Sequence, residues 1–112
     1  MDLPTSGRGA QIEMLDVTTN KLDDRTVVSV SGEIDAATCD ELATALTAAT
    51  RADGGLEIDV SGVSFIDSSG LRTLVLAQQH LGDRKLVVRG PDATFKRLLG
   101  ITGLDEVFEI TD

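Results

Sequence analysis

Two adjacent serines follow an aspartate and precede a glycine in the run Asp67-Ser68-Ser69-Gly70-Leu71. A serine hydroxyl can act as a nucleophile, as a phosphoacceptor or as a cap on free backbone N–H groups, and its neighbours decide which. A hydrolytic serine needs a positioned base, usually histidine. The single histidine, His80, lies about three turns further along the same expected helix, out of reach. Neither a G-x-S-x-G elbow nor a Walker A loop is present. The chain is therefore not expected to be an enzyme, and no cofactor or metal is called for.

The serines sit where a loop enters a helix. Such an entry offers unpaired N–H groups and a partial positive charge. A serine there is a natural N-cap, and the same geometry suits a phosphate carried on the serine. Gly70 allows another backbone to come close. Three roles are open to Asp67: capping group, hydrogen-bond partner of a serine hydroxyl, or aid to phosphoryl transfer. At helical spacing Ser69, Arg72, Thr73 and Leu76 share one face, expected to lie outside the apolar stripe of Leu71, Leu74, Val75, Gln78 and Leu81.

The elements that must hold this site alternate along the chain. A short strand is expected from Ile12 to Thr18, a turn at Leu22-Asp23-Asp24-Arg25, and a β-branched strand from Thr26 to Ser31, together a hairpin. A helix follows, with Cys39, Leu42, Ala43, Leu46 and Ala49 on its apolar stripe and either a Thr38–Glu41 capping box or Asp35 at its start. Cys39 is read as a buried packing residue. Leu56, Ile58 and Val60 mark a strand, and Ser61 to Asp67 reads as a loop burying Val63, Phe65 and Ile66. The serine helix runs from near Ser69 to Gly82, then come a strand at Lys85 to Arg89 and a third helix carrying Phe95, Leu98 and Leu99. Pro91 suits the first turn of that helix, which is expected to end near Gly100, and Val107 to Ile110 is the last strand. The order β-β-α-β-α-β-α-β implies an α/β fold with a mixed, mostly parallel sheet that starts with a hairpin. Residues 12–112 form one domain, and residues 1–11 read as a disordered lead-in with no signal-peptide pattern.

Composition narrows the partners. The formal net charge of −9 disfavours nucleic acid, because no basic patch is available to neutralise phosphates. With no Trp, no Tyr and 3 Phe, a base-stacking platform is also excluded. No apolar run approaches the roughly 20 residues of a membrane helix. The single Cys39 cannot form an internal disulfide, which fits a reducing, cytoplasmic setting.

The stretch from Leu56 to Leu71 resembles the signature of the STAS domain, shared by sulphate transporters and bacterial anti-sigma factor antagonists. Gly32-Glu33-Ile34-Asp35 is similar to that family's first loop. Phe95-Lys96-Arg97-Leu98-Leu99 with Thr102-Gly103-Leu104 is similar to its third helix and the turn into the last strand. In the antagonist branch the serine directly before the glycine is the phosphoacceptor, so the resemblance implies Ser69, with Ser68 as its neighbour. It also implies that Gly32, Glu33, Asp35, Asp67, Ser68, Gly70 and Leu71 belong to the switch and partner surface, to which helical spacing adds Arg72, Thr73 and Leu76. The implied partners are an anti-sigma factor that is also a serine kinase of the GHKL ATP-binding type, bound by the unphosphorylated form so that the sigma factor is released, and a metal-dependent phosphatase of the PP2C type. The alternative is a STAS adaptor or scaffold, of a lipid transporter or a stress-signalling assembly, that is never phosphorylated. Arg72 departs from the pattern, which commonly has a small residue there.

Overall fold

The computed structural model describes residues 15–112. The expected lead-in, residues 1–11, and the expected strand positions Ile12 and Met14 lie outside them. The elements are β1 (Asp16–Lys21), β2 (Arg25–Ile34), α1 (Cys39–Thr50), β3 (Gly55–Ile66), α2 (Ser68–Leu81), β4 (Leu86–Arg89), α3 (Ala93–Thr102), a 3₁₀ turn (Leu104–Glu106) and β5 (Glu109–Thr111). The expected order is observed. The strands lie side by side as β1-β2-β3-β4-β5, with β1–β2 antiparallel and the remaining pairs parallel.

Alternation along the strands sorts the two faces. Val28, Val30, Leu56, Ile58, Val60, Leu86 and Val88 point to one side and form a single apolar core with Leu42 and Leu46 of α1, Leu71 and Leu74 of α2, and Phe95 and Leu99 of α3. The opposite face carries Ser29, Ser31, Glu57, Asp59 and Arg89 and is largely polar. Glu57 is buried there between two guanidiniums, 3.3 Å from Arg25 Nε and 2.7 Å from Arg89 Nη1.

The structure departs from the sequence-based expectations where strands run on. β2 continues to Ile34 and β3 to Ile66, and the two stay paired as far as Ile34 with Ile66. Ser61 to Ile66 is therefore strand rather than loop, and only Val63 and Ile66 of its apolar residues are buried, while Phe65 is 49% exposed. The cause is a pair of register shifts, between Ser29 and Ser31 and between Gly32 and Glu33, which break strict alternation. Gly32, at φ 109°, takes a conformation that side chains avoid. Among the described residues the first strand spans Asp16–Lys21, so it overlaps the expected one from Asp16 to Thr18 and runs on to Lys21.

Helix ends also differ. Pro91 precedes the N-cap Asp92 instead of occupying the first turn, and α3 runs on to Thr102 before Gly103 stops it with φ 77°. Thr38 stands at the N-cap of α1 without a side-chain capping bond, so the Thr38–Glu41 box does not form. Cys39 is half-buried against the core rather than fully buried.

On the open face, Asp59 accepts hydrogen bonds from Ser61 N at 3.0 Å and Ser61 Oγ at 2.7 Å. The backbone bond first and then the hydroxyl hold its carboxyl below the usual range; burial opposes them, and the charge of Arg89 adds the least. A lowered pKa means that the ionised form stabilises the fold. That contribution is complete above the unfolded-state value of about 3.9 and is lost as pH falls through the folded-state value. Ser61→Ala should raise the Asp59 pKa in a carboxyl NMR titration, yet leave it below the ordinary value because the backbone bond persists. An unchanged titration would remove the hydroxyl from this account.

Candidate functional site

Pairing of β2 with β3 carries the first loop and the serine run to the same end of the sheet. Gly32 pairs with Val63, Glu33 with Phe65 and Ile34 with Ile66, so each chain leaves the sheet beside the other. One further bond closes the joint, as Asp67 N donates to Ile34 O at 3.1 Å.

Of the roles open to Asp67, the structure shows the cap. Asp67 has extended backbone angles, and its Oδ1 accepts from Ser69 N at 2.9 Å and Gly70 N at 3.2 Å. Between the two caps left open, a serine or Asp67, the structure has Asp67. Ser68 and Ser69 instead occupy the first two helical positions, Ser68 exposed and Ser69 half-buried. Among the described residues neither hydroxyl makes a hydrogen bond. The reason lies in the geometry of a helix entry, where the residue before the first turn is the one whose side chain reaches the free N–H groups two and three positions on.

Gly70 is buried at the contact with the first loop. A Cβ there would lie 2.6 Å from Ile34 Cγ2 and 2.7 Å from Ile66 Cγ1. The first loop is held from its other side by Thr38, which donates through Oγ1 to Glu33 O at 2.8 Å and accepts from Asp35 N at 3.0 Å. The Asp35 carboxylate in turn accepts from Ala37 N at 3.0 Å and Thr38 N at 3.1 Å, making it the cap of the turn that leads into α1.

The remaining expected site residues are divided by α2. Leu71 is buried in the core, while Arg72 is exposed. Thr73 does not share the open face with Ser69 and Arg72: it is 8% exposed, and its hydroxyl donates to Ser69 O at 3.0 Å. The buried side of α2 is broader than the apolar pattern suggested, because Gly70, Thr73 and Ala77 face inward too. Leu76 is 44% exposed and lines a shallow cleft of about 90 Å³ between α1 and α2, with Ala43, Leu46 and Thr47 opposite. Gly32, Glu33, Asp35, Asp67, Ser68, Ser69 and Gly70 are thus brought together, with Arg72 one turn up. Thr38 and Phe65 belong to the same end and were not expected in it. The capping spacing of Thr38 pointed to the right residue with the wrong partner, and Phe65 could be found only by continuing the strand past Gly62.

His80 sits on the last turn of α2 and its Nδ1 lies 2.8 Å from Leu76 O. At 1.5 Å rise per residue it stands roughly 16 Å from Ser69 along the helix, too far to act as a base. Among the described residues no three His, Cys, Asp or Glu side chains are grouped to hold a metal, and no helix is long and apolar enough to cross a membrane.

A mixed sheet, three helices and an aspartate-capped serine turn beside the first loop can be set against known proteins. The family model described as Mlab, STAS domain, matches residues 17–111. The chain belongs to the STAS domain family. This STAS domain is 40% identical over 86 residues to the anti-sigma-B factor antagonist of Listeria monocytogenes serovar 1/2a, covering 74% of the chain and 75% of the relative. It is 34% identical over 102 residues to that of Staphylococcus aureus strain NCTC 8325, covering 88% and 94%. The crystal structure of an anti-sigma factor antagonist from Mycobacterium paratuberculosis superposes with a TM-score of 0.77 at 35% identity, over 89% of this chain and 87% of that one.

Two substitutions test the site as built. Asp67→Ala removes the acceptor of two N–H groups and should lower unfolding stability by about 1 kcal/mol, whereas Asp67→Asn keeps most of it. Gly70→Ala, which in an open helix would gain up to about 1 kcal/mol, should here lose about 1–3 kcal/mol by overpacking against Ile34. Denaturant titration measures both, and a stabilised Gly70→Ala would contradict the close approach.

Proposed function

We propose that this STAS domain is an anti-sigma factor antagonist: a binding protein, not an enzyme, that takes up an anti-sigma factor when unphosphorylated and releases it when Ser69 is phosphorylated. The observation that carries the reading is a serine hydroxyl with no internal partner among the described residues, standing at the joint of α2 and the first loop. The similarity to antagonists at 34–40% identity supports the same role.

The switch works by local charge. A kinase moves the terminal phosphoryl group of ATP onto the Ser69 hydroxyl oxygen, which loses its proton. This adds about −1.5 to −2 charges at pH 7. The new group stands beside the Asp67 carboxylate and on the same end as Glu33 and Asp35. A partner that fits the unphosphorylated surface would have to bury that charge unpaired, which costs several kcal/mol. A loss of ~3 kcal/mol weakens binding about a hundredfold. The fold survives, since α2 is anchored by Leu71, Leu74, Ala77 and Leu81 on its buried side. The kinase fitting this scheme is the anti-sigma factor itself, of the GHKL ATP-binding type, and a PP2C-type phosphatase would reset the switch.

The Mlab name of the matched family model favours a second reading, a STAS adaptor that is never phosphorylated. Ser69 directly before Gly70 weighs against it.

Mass spectrometry after incubation with the candidate anti-sigma kinase and ATP should place one phosphate on Ser69 and none on Ser68. Ser69→Ala should bind the anti-sigma factor as tightly as the parent chain and resist phosphorylation, while Ser69→Glu should bind at least about tenfold more weakly. Phosphorylation of the Ser69→Ala chain would sink the assignment.

A further inference from the structure

Three of the N–H groups that the helix end could offer to a phosphate on Ser69 are already engaged. Ser69 N and Gly70 N both donate to Asp67 Oδ1, and Leu71 N donates to Asp67 O at 3.0 Å. The nearest ionisable groups of the joint, Asp67 itself with Glu33 and Asp35 of the first loop, are all acidic. A phosphate there needs a cation from elsewhere.

The helix supplies one. Arg72 lies three positions after Ser69, so their Cβ atoms stand about 5–6 Å apart on neighbouring turns. Side chains on a helix lean toward its N-terminus, which aims Arg72 back over the turn that holds Ser69. Arg72 is exposed, and no ion pair among the described residues ties it elsewhere. Thr73, the alternative neighbour one residue on, is turned inward with its hydroxyl bound to Ser69 O. A guanidinium presents forked donors that match phosphate oxygens in pairs.

We propose that Arg72 is the in-chain partner of a phosphate on Ser69. The proposal rests on the reading of Ser69 as phosphoacceptor and adds to it how the phosphorylated state is held. The pair neutralises part of the new charge within the chain, so a returning partner must break it before it can reoccupy the surface. Arg72 is thereby a regulatory residue of the phosphorylated form, with no ion pair among the described residues to give up when the phosphate arrives.

The test uses the full chain with phosphoserine installed at position 69 during synthesis, which makes it independent of any kinase. Phosphorus NMR follows the second ionisation of the phosphate in the parent chain, in Arg72→Ala and in Arg72→Lys. The parent phosphate should titrate lower than in Arg72→Ala by about 0.3 of a pH unit, the size expected of an exposed pair one turn apart. Arg72→Lys should recover most of the difference, and raised salt should shrink it. Equal titration of the parent and Arg72→Ala chains overturns the pair. A kinase that fails to modify Ser69 would count against the proposed function and leave this result standing. Arg72→Ala without phosphate should melt with the parent, which separates a lost pair from a damaged fold.

Discussion

The site depends on a single residue that makes two kinds of bond at once. Asp67 donates its backbone N–H to Ile34 of the first loop and accepts the first free N–H groups of α2 on its carboxylate. The first bond fixes where α2 begins relative to the sheet. The second fixes how the helix starts, and so which way Ser68 and Ser69 face. Without the Asp67 carboxylate the helix would still have an apolar stripe, but Ser69 N and Gly70 N would lose their acceptor. An aspartate in this place is what leaves the serine hydroxyls available for chemistry.

Gly70 makes the same joint tight from the other side. The distance a Cβ would have from Ile34 and Ile66 shows that α2 and the first loop touch through apolar atoms where the glycine leaves room. Thr38 then ties Glu33 and Asp35 to the start of α1. α1 and α2 therefore converge on one small exposed end, with the core beneath it closed by Ile34, Ile66 and Leu71. Rigid support of this kind lets a change of a single group alter binding without altering the fold.

The order of elements and the mixed sheet were legible in the sequence, because alternation in Thr26–Val30 and Leu56–Val60 and the 3.6-residue stripes of α1 and α2 are strong signals, whereas most of the candidate site residues came from the resemblance to the STAS signature. The second half of β3 was not. Gly62 and the register shifts near Ser31 interrupt the alternation, and a broken pattern of Val63, Phe65 and Ile66 looks like a loop closing over a core. Thr73 was misplaced for a related reason. A threonine on a helix reads as polar and outward, yet its hydroxyl is satisfied by the carbonyl one turn back, so it can pack inward without loss. The capping residue of α2 was left open because aspartate and serine are near-equal N-caps, and only backbone angles choose between them.

The engagement of Ser69 N and Gly70 N by Asp67 also bears on the electrostatics of the proposed switch. A free helix terminus would welcome a phosphate and soften the effect of adding it. An occupied one places carboxylate against phosphate, so the modified surface is sharply more anionic in a chain that already carries a net charge of −9. The contrast between the two states is then set by how much of that charge the chain itself can neutralise. In a relative with a small residue at the position of Arg72 the answer is none from this turn of the helix. Here, on the proposed pairing, the guanidinium of Arg72 would supply that neutralisation, which would make position 72 the place where the balance between a switch that repels its partner and one that holds its own phosphate is tuned.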